Sequence, residues 1–177
     1  MNTHEAFQAP PDADAYRSAM RHFAGNVSVI TAGPPGERSG LVATSAVSLS
    51  VDPPTVIVCV NRNASSWPLF ARFRHFGVNS LTAAQQPIAE LFSGRGHVRG
   101  EDRYRLGTWS AGPSGAPLLA GAAVALDCRL EEMIDRETHS ILVGRVLDIR
   151  TAEADAGALI YWRGLYRPLP PEQAAVA

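Results

Sequence analysis

The alternation of apolar and polar residues predicts a chain made mainly of β-strands with a few short helices. Runs with apolar residues at every second position, or at nearly every position, recur along most of the sequence. We place strands at residues 26–32, 40–50, 55–60, 75–81, 122–133, 140–149, 158–162 and 165–168. Because strands outnumber helices and polar turns join neighbouring strands, the pattern favours an antiparallel barrel with peripheral helices.

Three short helices are predicted between these strands. They run from Asp12 or Asp14 to Gly25, over about residues 67–74, and from Thr82 to near Gly94. The segment 94–121 that follows is rich in Gly, Pro, Ser and Arg and has little periodicity. Such a long irregular segment is uncommon in a compact domain, so we expect it to be functional or to pack on a partner.

The stretch from residue 40 to residue 70 combines several features of a ligand site. Its first run contains many small and hydroxylic residues, among them Thr44 and Ser45, and therefore leaves room for a flat ligand beside the strand. Its second run, residues 55–60, is almost continuously apolar, which predicts a strand buried on both faces. The polar turn 61–66 comes next and is suited to the anionic end of the ligand.

Each candidate residue in this stretch also has a purely structural interpretation. Ser65 and Ser66 precede the second helix, where they would either cap its N-terminus or bind a phosphate. Arg62 would either pair with that phosphate or remain a solvated surface residue. The hydroxyls of Thr44 and Ser45 would either be ordinary sheet hydroxyls or contact the ligand.

Composition and charge narrow the possible functions. Charged residues make up 19% of the 177-residue chain, against about 25% in typical proteins, so we expect another subunit to cover part of the surface. The formal net charge of -1, without long charge blocks, argues against nucleic-acid or membrane-surface binding.

The length predicts a single domain, residues 1–177, with an ordered core of about 13–169. No secretory signal or membrane-length apolar run is visible, and Cys59 and Cys128 lie in apolar runs, which predicts a cytoplasmic protein with reduced thiols.

Common catalytic motifs are absent from the sequence. It contains no GxSxG nucleophile elbow, no phosphate-binding P-loop and no Cys or His pair at metal-ligand spacing. The five histidines are dispersed, so no metal site is predicted. His139 lies between a polar connection and a strand, where it would be either structural or directed into the mouth of the barrel.

Several sequence motifs occur together in an order that matches a known family. They are FAGNVSVITA at 23–32, the run 40–50 followed by Asp52-Pro53-Pro54, CVNR at 59–62 with Ser65-Ser66, FGVN at 76–79, residues 85–92, DRY at 102–104, GAPLL at 115–119, and residues 161–169. Over about residues 16–169 the chain resembles the short-chain flavin reductases, an FMN-binding split-barrel family that includes the reductase components of two-component flavin-dependent monooxygenases. The resemblance implies an antiparallel split β-barrel and NAD(P)H:flavin oxidoreductase activity. It also implies a homodimer that supplies reduced FMN or FAD to a partner monooxygenase.

The resemblance assigns roles to three groups of residues. They are the isoalloxazine contacts Thr44 and Ser45 with the neighbouring Val42 and Ala46; the ribityl and phosphate contacts Asn61, Arg62, Ser65 and Ser66, with Phe92 lining the same pocket; and the nicotinamide contacts His139 and Tyr166 for NADH or NADPH.

The chain departs from the family pattern immediately before His139. The family usually has Gly-Asp-His at this point, whereas this sequence has Glu137-Thr138-His139. The two replaced residues leave open the choice between NADH and NADPH. They also keep open a rival function, a non-catalytic flavin- or haem-binding protein on the same barrel. A barrel oxidase acting on a pyridoxine phosphate ranks behind both, because the chain supplies few basic residues for a second phosphate.

Overall fold

The computed structural model describes residues 11–152 and 156–171 of the chain. The two ends of the predicted domain, residues 1–10 and 172–177, lie outside these ranges. The described strands, in chain order, are β1 (Gly25–Asn26), β2 (Ser28–Ala32), β3 (Ser39–Ala43), β4 (Val47–Val51), β5 (Pro54–Asn61), β6 (His75–Ser80), β7 (Trp109–Ala111), β8 (Pro117–Leu119), β9 (Val124–Arg136), β10 (His139–Thr151), β11 (Ala158–Trp162) and β12 (Leu165–Leu169). The α-helices are α1 (Ala13–Met20), α2 (Trp67–Phe73) and α3 (Gln86–Phe92), and short 3-10 helices cover Ala83–Gln85, Arg95–His97 and Gly100–Tyr104. The prediction of a mainly β protein with short helices is confirmed.

Seven of the strands form one antiparallel sheet in the order β3-β2-β6-β9-β10-β5-β4. Its two outer strands, β3 and β4, are consecutive in the chain and are separated only by residues 44–46. Six strand spacings of about 4.8 Å would place the edges of a flat sheet about 29 Å apart. Four Cα steps reach only about 14 Å, so the sheet must curl until its edges approach each other. This curling gives the barrel form, and residues 44–46 are the crossover that joins its two edges.

The predicted strand at residues 40–50 is therefore wrong in one respect, because it is two strands rather than one. β3 pairs with β2, and β4 pairs with β5 at the opposite edge of the sheet. The predicted strand at residues 26–32 is also divided. Val27 leaves the ladder, donates its N–H to the Leu159 carbonyl at 3.1 Å and accepts from the Leu81 N–H at 2.8 Å. It thereby connects β1, in a small sheet with β11 and β12, to β2 in the barrel.

The three predicted helices are present, but only the third has a strongly buried face. Asp12 caps α1 by accepting from the N–H groups of Asp14 and Ala15 at 2.9 and 2.7 Å. The apolar residues on and after α1, Tyr16 and Phe23 among them, are exposed. In α3, by contrast, Ile88, Ala89, Leu91 and Phe92 are buried. No helix in the described ranges is long and apolar enough to cross a membrane.

The apolar core lies in two clusters that meet at the barrel sheet. The larger side chains of the barrel cluster are Ile30, Val58, Val60, Phe70, Phe76 and Leu142, and those of the cluster beneath α3 are Val27, Leu81, Phe92, Leu118 and Leu159. The prediction that residues 55–60 are buried on both faces is wrong. Val56, Val58 and Val60 face the core, whereas Ile57 and Cys59 on the other face are only half-buried. Both cysteines are free thiols, and burial together with nearby Asp127 raises the pKa of Cys128 to about 12.

Candidate active site

Two adjoining clefts run along β3 and its continuation into the crossover. The larger, about 550 Å³, extends from β3 over the turn after β5 to the end of α3. The smaller, about 330 Å³, extends from the crossover to the first residue of β10. Both clefts are bordered by Leu41, Val42 and Asn61, and we refer to the two adjoining clefts together as the groove.

The crossover is held in place by hydrogen bonds of the two residues that follow Thr44. The Ser45 hydroxyl donates to the Cys59 carbonyl and accepts from the Cys59 N–H, each at 3.1 Å. The Asn26 side chain donates to the Ala46 carbonyl at 2.8 Å. β4 reaches only as far as Ile57 on β5, so the Ser45 hydroxyl supplies the next pair of ladder bonds in its place. Thr44 is left exposed and borders the smaller cleft with Ser45.

The turn after β5 presents Asn61 and Ser65 to the larger cleft. Asn61 closes the turn, since its side-chain oxygen accepts from the Asn63 N–H at 2.8 Å and its carbonyl accepts from the Ala64 N–H at 3.1 Å. Ser66 is fully buried and lies outside the lining of both clefts, and its hydroxyl has no hydrogen-bond partner among the residues that the structure describes. Capping of α2 by the Ser66 side chain is therefore wrong, and phosphate binding by Ser65 and Ser66 stays a prediction.

Arg62 points away from the groove towards the hairpin that joins β9 to β10. Its guanidinium donates to the Glu137 carbonyl at 3.3 Å and lies 3.6 Å from the Asp135 carboxylate. The Arg62 backbone N–H also donates to the Thr138 carbonyl at 2.9 Å. These contacts fix the hairpin tip relative to the turn after β5. Arg62 is exposed, which agrees with the surface interpretation, and it lines neither cleft in this arrangement.

His139 lies directly opposite Asn61 in the antiparallel register of β10 and β5. Its ring is exposed, and its Nδ1 lies 2.8 Å from the Thr138 hydroxyl. Together with Thr44, Ser45 and Cys59 it borders the smaller cleft. Residues predicted for the flavin and for the nicotinamide thus share one cleft.

Tyr166 borders a small hollow next to the groove, together with Val42 and Thr44. Its ring packs edge-on against Tyr161, with the ring centroids 5.3 Å apart. Burial, with Tyr161 nearby, raises the pKa of Tyr166, so the ring is neutral at physiological pH. Ala46 borders none of the clefts described here.

Phe92, at the end of α3, forms an apolar wall of the larger cleft and is almost fully buried. It packs edge-on against Tyr104, with ring centroids 5.1 Å apart. A Cβ at Gly40 would come within 3.0 Å of the Phe92 ring and 2.5 Å of the Ile30 carbonyl, so β3 can approach α3 only with glycine at this position.

Basic residues of the larger cleft come from the segment 94–121, which is expected from the sequence to be functional or to pack on a partner. His97, Arg99 and Arg103 all border the cleft. Arg103 is buried and donates to the Gly40 and Val98 carbonyls, so it joins this segment to β3. The Gly- and Arg-rich composition was the available signal, but its lack of periodicity hid which side chains face the cleft.

Comparison with known proteins assigns the chain to a protein family. The sequence profile described as "Flavin reductase like domain" matches residues 20–170. The chain belongs to the flavin reductase family. Among curated members, it is 40% identical over 161 residues to "FMN reductase (NADH) RutF" of Pseudomonas syringae, covering 91% of this chain and 89% of that protein. It is 42% identical over 158 residues to "FMN reductase (NADH) RutF 2" of Methylorubrum extorquens, covering 89% and 90% of the two chains.

Solved structures of flavin reductases share the fold. BorF, the flavin reductase component of a bacterial two-component tryptophan halogenase, superposes with a TM-score of 0.82 at 33% identity, over 91% of this chain and all of BorF. The Streptomyces globisporus NADH:FAD oxidoreductase SgcE6, in complex with NAD and FAD fragments, superposes with a TM-score of 0.80 at 28% identity, over 96% and 97% of the two chains. The split-barrel flavin reductase fold implied by the sequence motifs is confirmed.

The groove of this flavin reductase family member fits a flavin in size and chemistry. Its larger cleft of about 550 Å³ lies within the range of small-molecule sites. Apolar side chains of Leu41, Val42 and Phe92 suit a ring system, while Ser65 and Arg99 offer a hydroxyl and a positive charge for a phosphate.

Proposed function

We propose that this protein is an NADH-dependent flavin reductase that converts FMN or FAD to the reduced flavin. Family membership and the FMN reductase (NADH) relatives support this activity. The structural observation that carries the proposal is the pairing of His139 with Asn61, because it places the predicted nicotinamide residue and a predicted flavin residue at one cleft.

When bound, NADH and the flavin supply the chemistry, which is a direct transfer of hydride from nicotinamide C4 to flavin N5. The role of the protein is to hold the flavin ring and the nicotinamide ring in contact. Thr44, Ser45 and the backbone of Val42 form the platform for the flavin ring. Asn61 and Ser65, which border the larger cleft, hold the ribityl chain and phosphate, whereas Arg62 and Ser66 lie outside its lining.

In this proposal, His139 and Tyr166 bind the nicotinamide nucleotide. The exposed His139 ring contacts the nicotinamide from the β10 side of the smaller cleft. Tyr166 offers a neutral aromatic edge on the other side of Thr44. No side chain has to exchange a proton during hydride transfer, which agrees with the absence of a catalytic triad from the sequence.

The reduced flavin is then released to a partner monooxygenase. Two structural neighbours support this step, since BorF is named as the flavin reductase component of a two-component halogenase and another neighbour is named as nitrilotriacetate monooxygenase component B. The open groove, bordered by exposed residues on the crossover and the turn after β5, favours exchange of flavin as a substrate over permanent retention.

Anaerobic stopped-flow mixing of the protein with free FMN or FAD and excess NADH tests the activity. We expect the visible flavin absorbance to bleach at a rate that depends on protein concentration. Tight flavin binding without oxidation of NADH or NADPH would instead favour the rival non-catalytic flavin- or haem-binding protein, to which the replaced Glu137 and Thr138 give some support.

We further propose that the protein is a homodimer and works in the cytoplasm, where its two cysteines remain free thiols. β4 is an outer strand of the barrel sheet, and its Leu49 and Val51 are 56% and 87% exposed. Exposed apolar side chains on an edge strand favour association with a second copy.

Light scattering coupled to size-exclusion chromatography tests the homodimer. Leu49→Glu is expected to shift the protein from dimer to monomer, because it buries a charge at the proposed interface. Leu169→Glu, at a similarly exposed position in the other sheet, is the matched control and should remain dimeric. A monomeric wild-type protein would contradict the proposal.

A further inference from the structure

A third cleft of about 750 Å³ adjoins the candidate active site and is lined by arginines. It lies between α1 and the turn that joins β11 to β12, and Thr44, Ser45 and Tyr161 border both it and the smaller cleft. Its arginines are Arg17, Arg21, Arg95 and Arg163.

The positive charge of this cleft is poorly compensated. Among the residues that the structure describes, no Asp or Glu lines the cleft. Arg17 forms an ion pair with Asp14 on its own helix, whereas Arg21, Arg95 and Arg163 take part in none of the ion pairs within the described ranges. Because the whole chain has a net charge of -1, this concentration of positive charge is local. Such a cleft attracts a polyanionic ligand.

The cleft is formed by fixed elements as well as by long side chains. The Arg163 N–H donates to the Arg21 carbonyl at 3.0 Å, which joins the end of α1 to the β11–β12 turn. The Arg163 guanidinium lies 4.8 Å from the centre of the Trp162 ring. Met20 and Phe23 also line the cleft, so an exposed apolar surface lies beside the arginines.

The position of the cleft restricts the ligand. A molecule with one end beside His139 can extend past Thr44 and Ser45 towards the arginine-lined cleft, because Thr44, Ser45 and Tyr161 border both clefts. NADH has this form, with a nicotinamide at one end and an anionic ADP half at the other. The flavin phosphate is expected at Ser65, beyond Asn61 on the opposite side of the smaller cleft. Placing the two anionic groups at opposite ends of the groove avoids their mutual repulsion.

We propose that the arginine-lined cleft binds the ADP half of NADH. Arg21, Arg95 and Arg163 pair with the pyrophosphate, since guanidinium groups bind phosphate oxygens through charge-assisted hydrogen bonds. Met20 and Phe23 offer their apolar surface to the adenine. The inference rests on the proposed function, in that it assigns the second half of the nucleotide that the reductase oxidises.

The double variant Arg21→Gln/Arg163→Gln tests this assignment. We expect the KM for NADH to rise about tenfold, after allowance for the partial exposure of the two arginines, while the KM for FMN stays within about twofold. Calorimetric titration with ADP-ribose, in the absence of flavin, should show a parallel loss of affinity. Arg167→Gln is the matched control, because Arg167 is exposed on β12 and lines none of these clefts.

The possible results separate the two hypotheses. An unchanged KM for NADH and unchanged ADP-ribose binding in the double variant would overturn the inference, and so would a rise confined to the KM for FMN. Thermal unfolding of the variant, compared with the wild type, identifies a loss caused by misfolding. If the variant is misfolded, the salt dependence of ADP-ribose binding to the wild-type protein tests the inference instead. Added NaCl must weaken this binding if arginines hold the pyrophosphate. Failure of wild-type protein to bleach flavin would refute the proposed activity alone, since ADP-ribose binding is measured without it.

Discussion

Thr44 and Ser45 of the crossover border the smaller cleft, and the hairpin tip at residues 137–138 directly precedes His139, which borders the same cleft. The two segments are nevertheless built differently. At the crossover, Ser45 bonds twice to Cys59 and the Ala46 carbonyl accepts from Asn26. The hairpin tip is exposed, and Glu137 adopts a φ of 47°, a left-handed conformation that favours glycine. Its hydrogen bonds to the rest of the site come from Arg62.

This difference indicates that the flavin, rather than the nicotinamide, is held on the more rigid platform. Hydride transfer depends on the relative position of two rings, and one of them must be held by residues that cannot shift. The crossover meets that requirement because it also joins the two edges of the barrel. The hairpin tip closes no part of the barrel, so its sequence can change with less effect on the fold.

Ser45→Ala is the strongest test of the comparison. Removing the hydroxyl leaves the N–H and carbonyl of Cys59 without their partner, which should lower the free energy of unfolding by about 1–2 kcal/mol. We also expect a severalfold rise in the KM for FMN, because the platform for the ring is no longer fixed. Urea unfolding and steady-state kinetics measure the two effects.

Ser48→Ala is the matched control for this substitution. Ser48 lies on β4, is exposed, and forms no side-chain hydrogen bond within the described ranges. Its replacement should change neither stability nor kinetics. Equal effects at the two positions would show that the crossover is not specially fixed.

His139→Ala probes the opposite side of the cleft. The KM for NADH should rise roughly three- to tenfold, as expected for one lost hydrogen bond or ring contact, with little change in flavin affinity. His97→Ala is the reciprocal variant, since His97 borders only the larger cleft, and it should weaken FMN binding instead. If His139→Ala impaired NADH and flavin equally, the residue would be structural rather than part of the nucleotide site.

Local sequence pattern predicted the three α-helices and most of the strands, but not β7 and β8 within the segment 94–121 or how the strands connect. The run 40–50 has the residue types of a strand throughout, so nothing in it signals a change of partner at Thr44. That change is imposed by the closing of the sheet, which depends on strands far along the chain, such as β9 and β10. The helix at Asp12, by contrast, was predictable because its cap involves only neighbouring residues.

The candidate site was predictable for those residues that lie in the family motifs. Thr44, Ser45, Asn61 and His139 do border one cleft, and their roles there stay predictions. The arginines of the third cleft had no comparable signal, since Arg21, Arg95 and Arg163 are scattered in the sequence and meet only in the folded chain. Burial of Ser66 was equally hidden, because a serine before a helix is typical of an exposed cap.

Glu137→Gly is expected to have the smallest effect and addresses the weaker of the two regions directly. A non-glycine residue with positive φ costs about 1 kcal/mol, and the greater freedom of glycine in the unfolded chain offsets part of the gain. We therefore expect the free energy of unfolding to rise by about 0.5 kcal/mol, measured by urea unfolding. Glu137→Ala separates the two possible causes, because it removes the carboxylate but keeps the positive φ. If alanine stabilised the protein as much as glycine, repulsion by the carboxylate, and not backbone conformation, would be what distinguishes this hairpin from the fixed crossover.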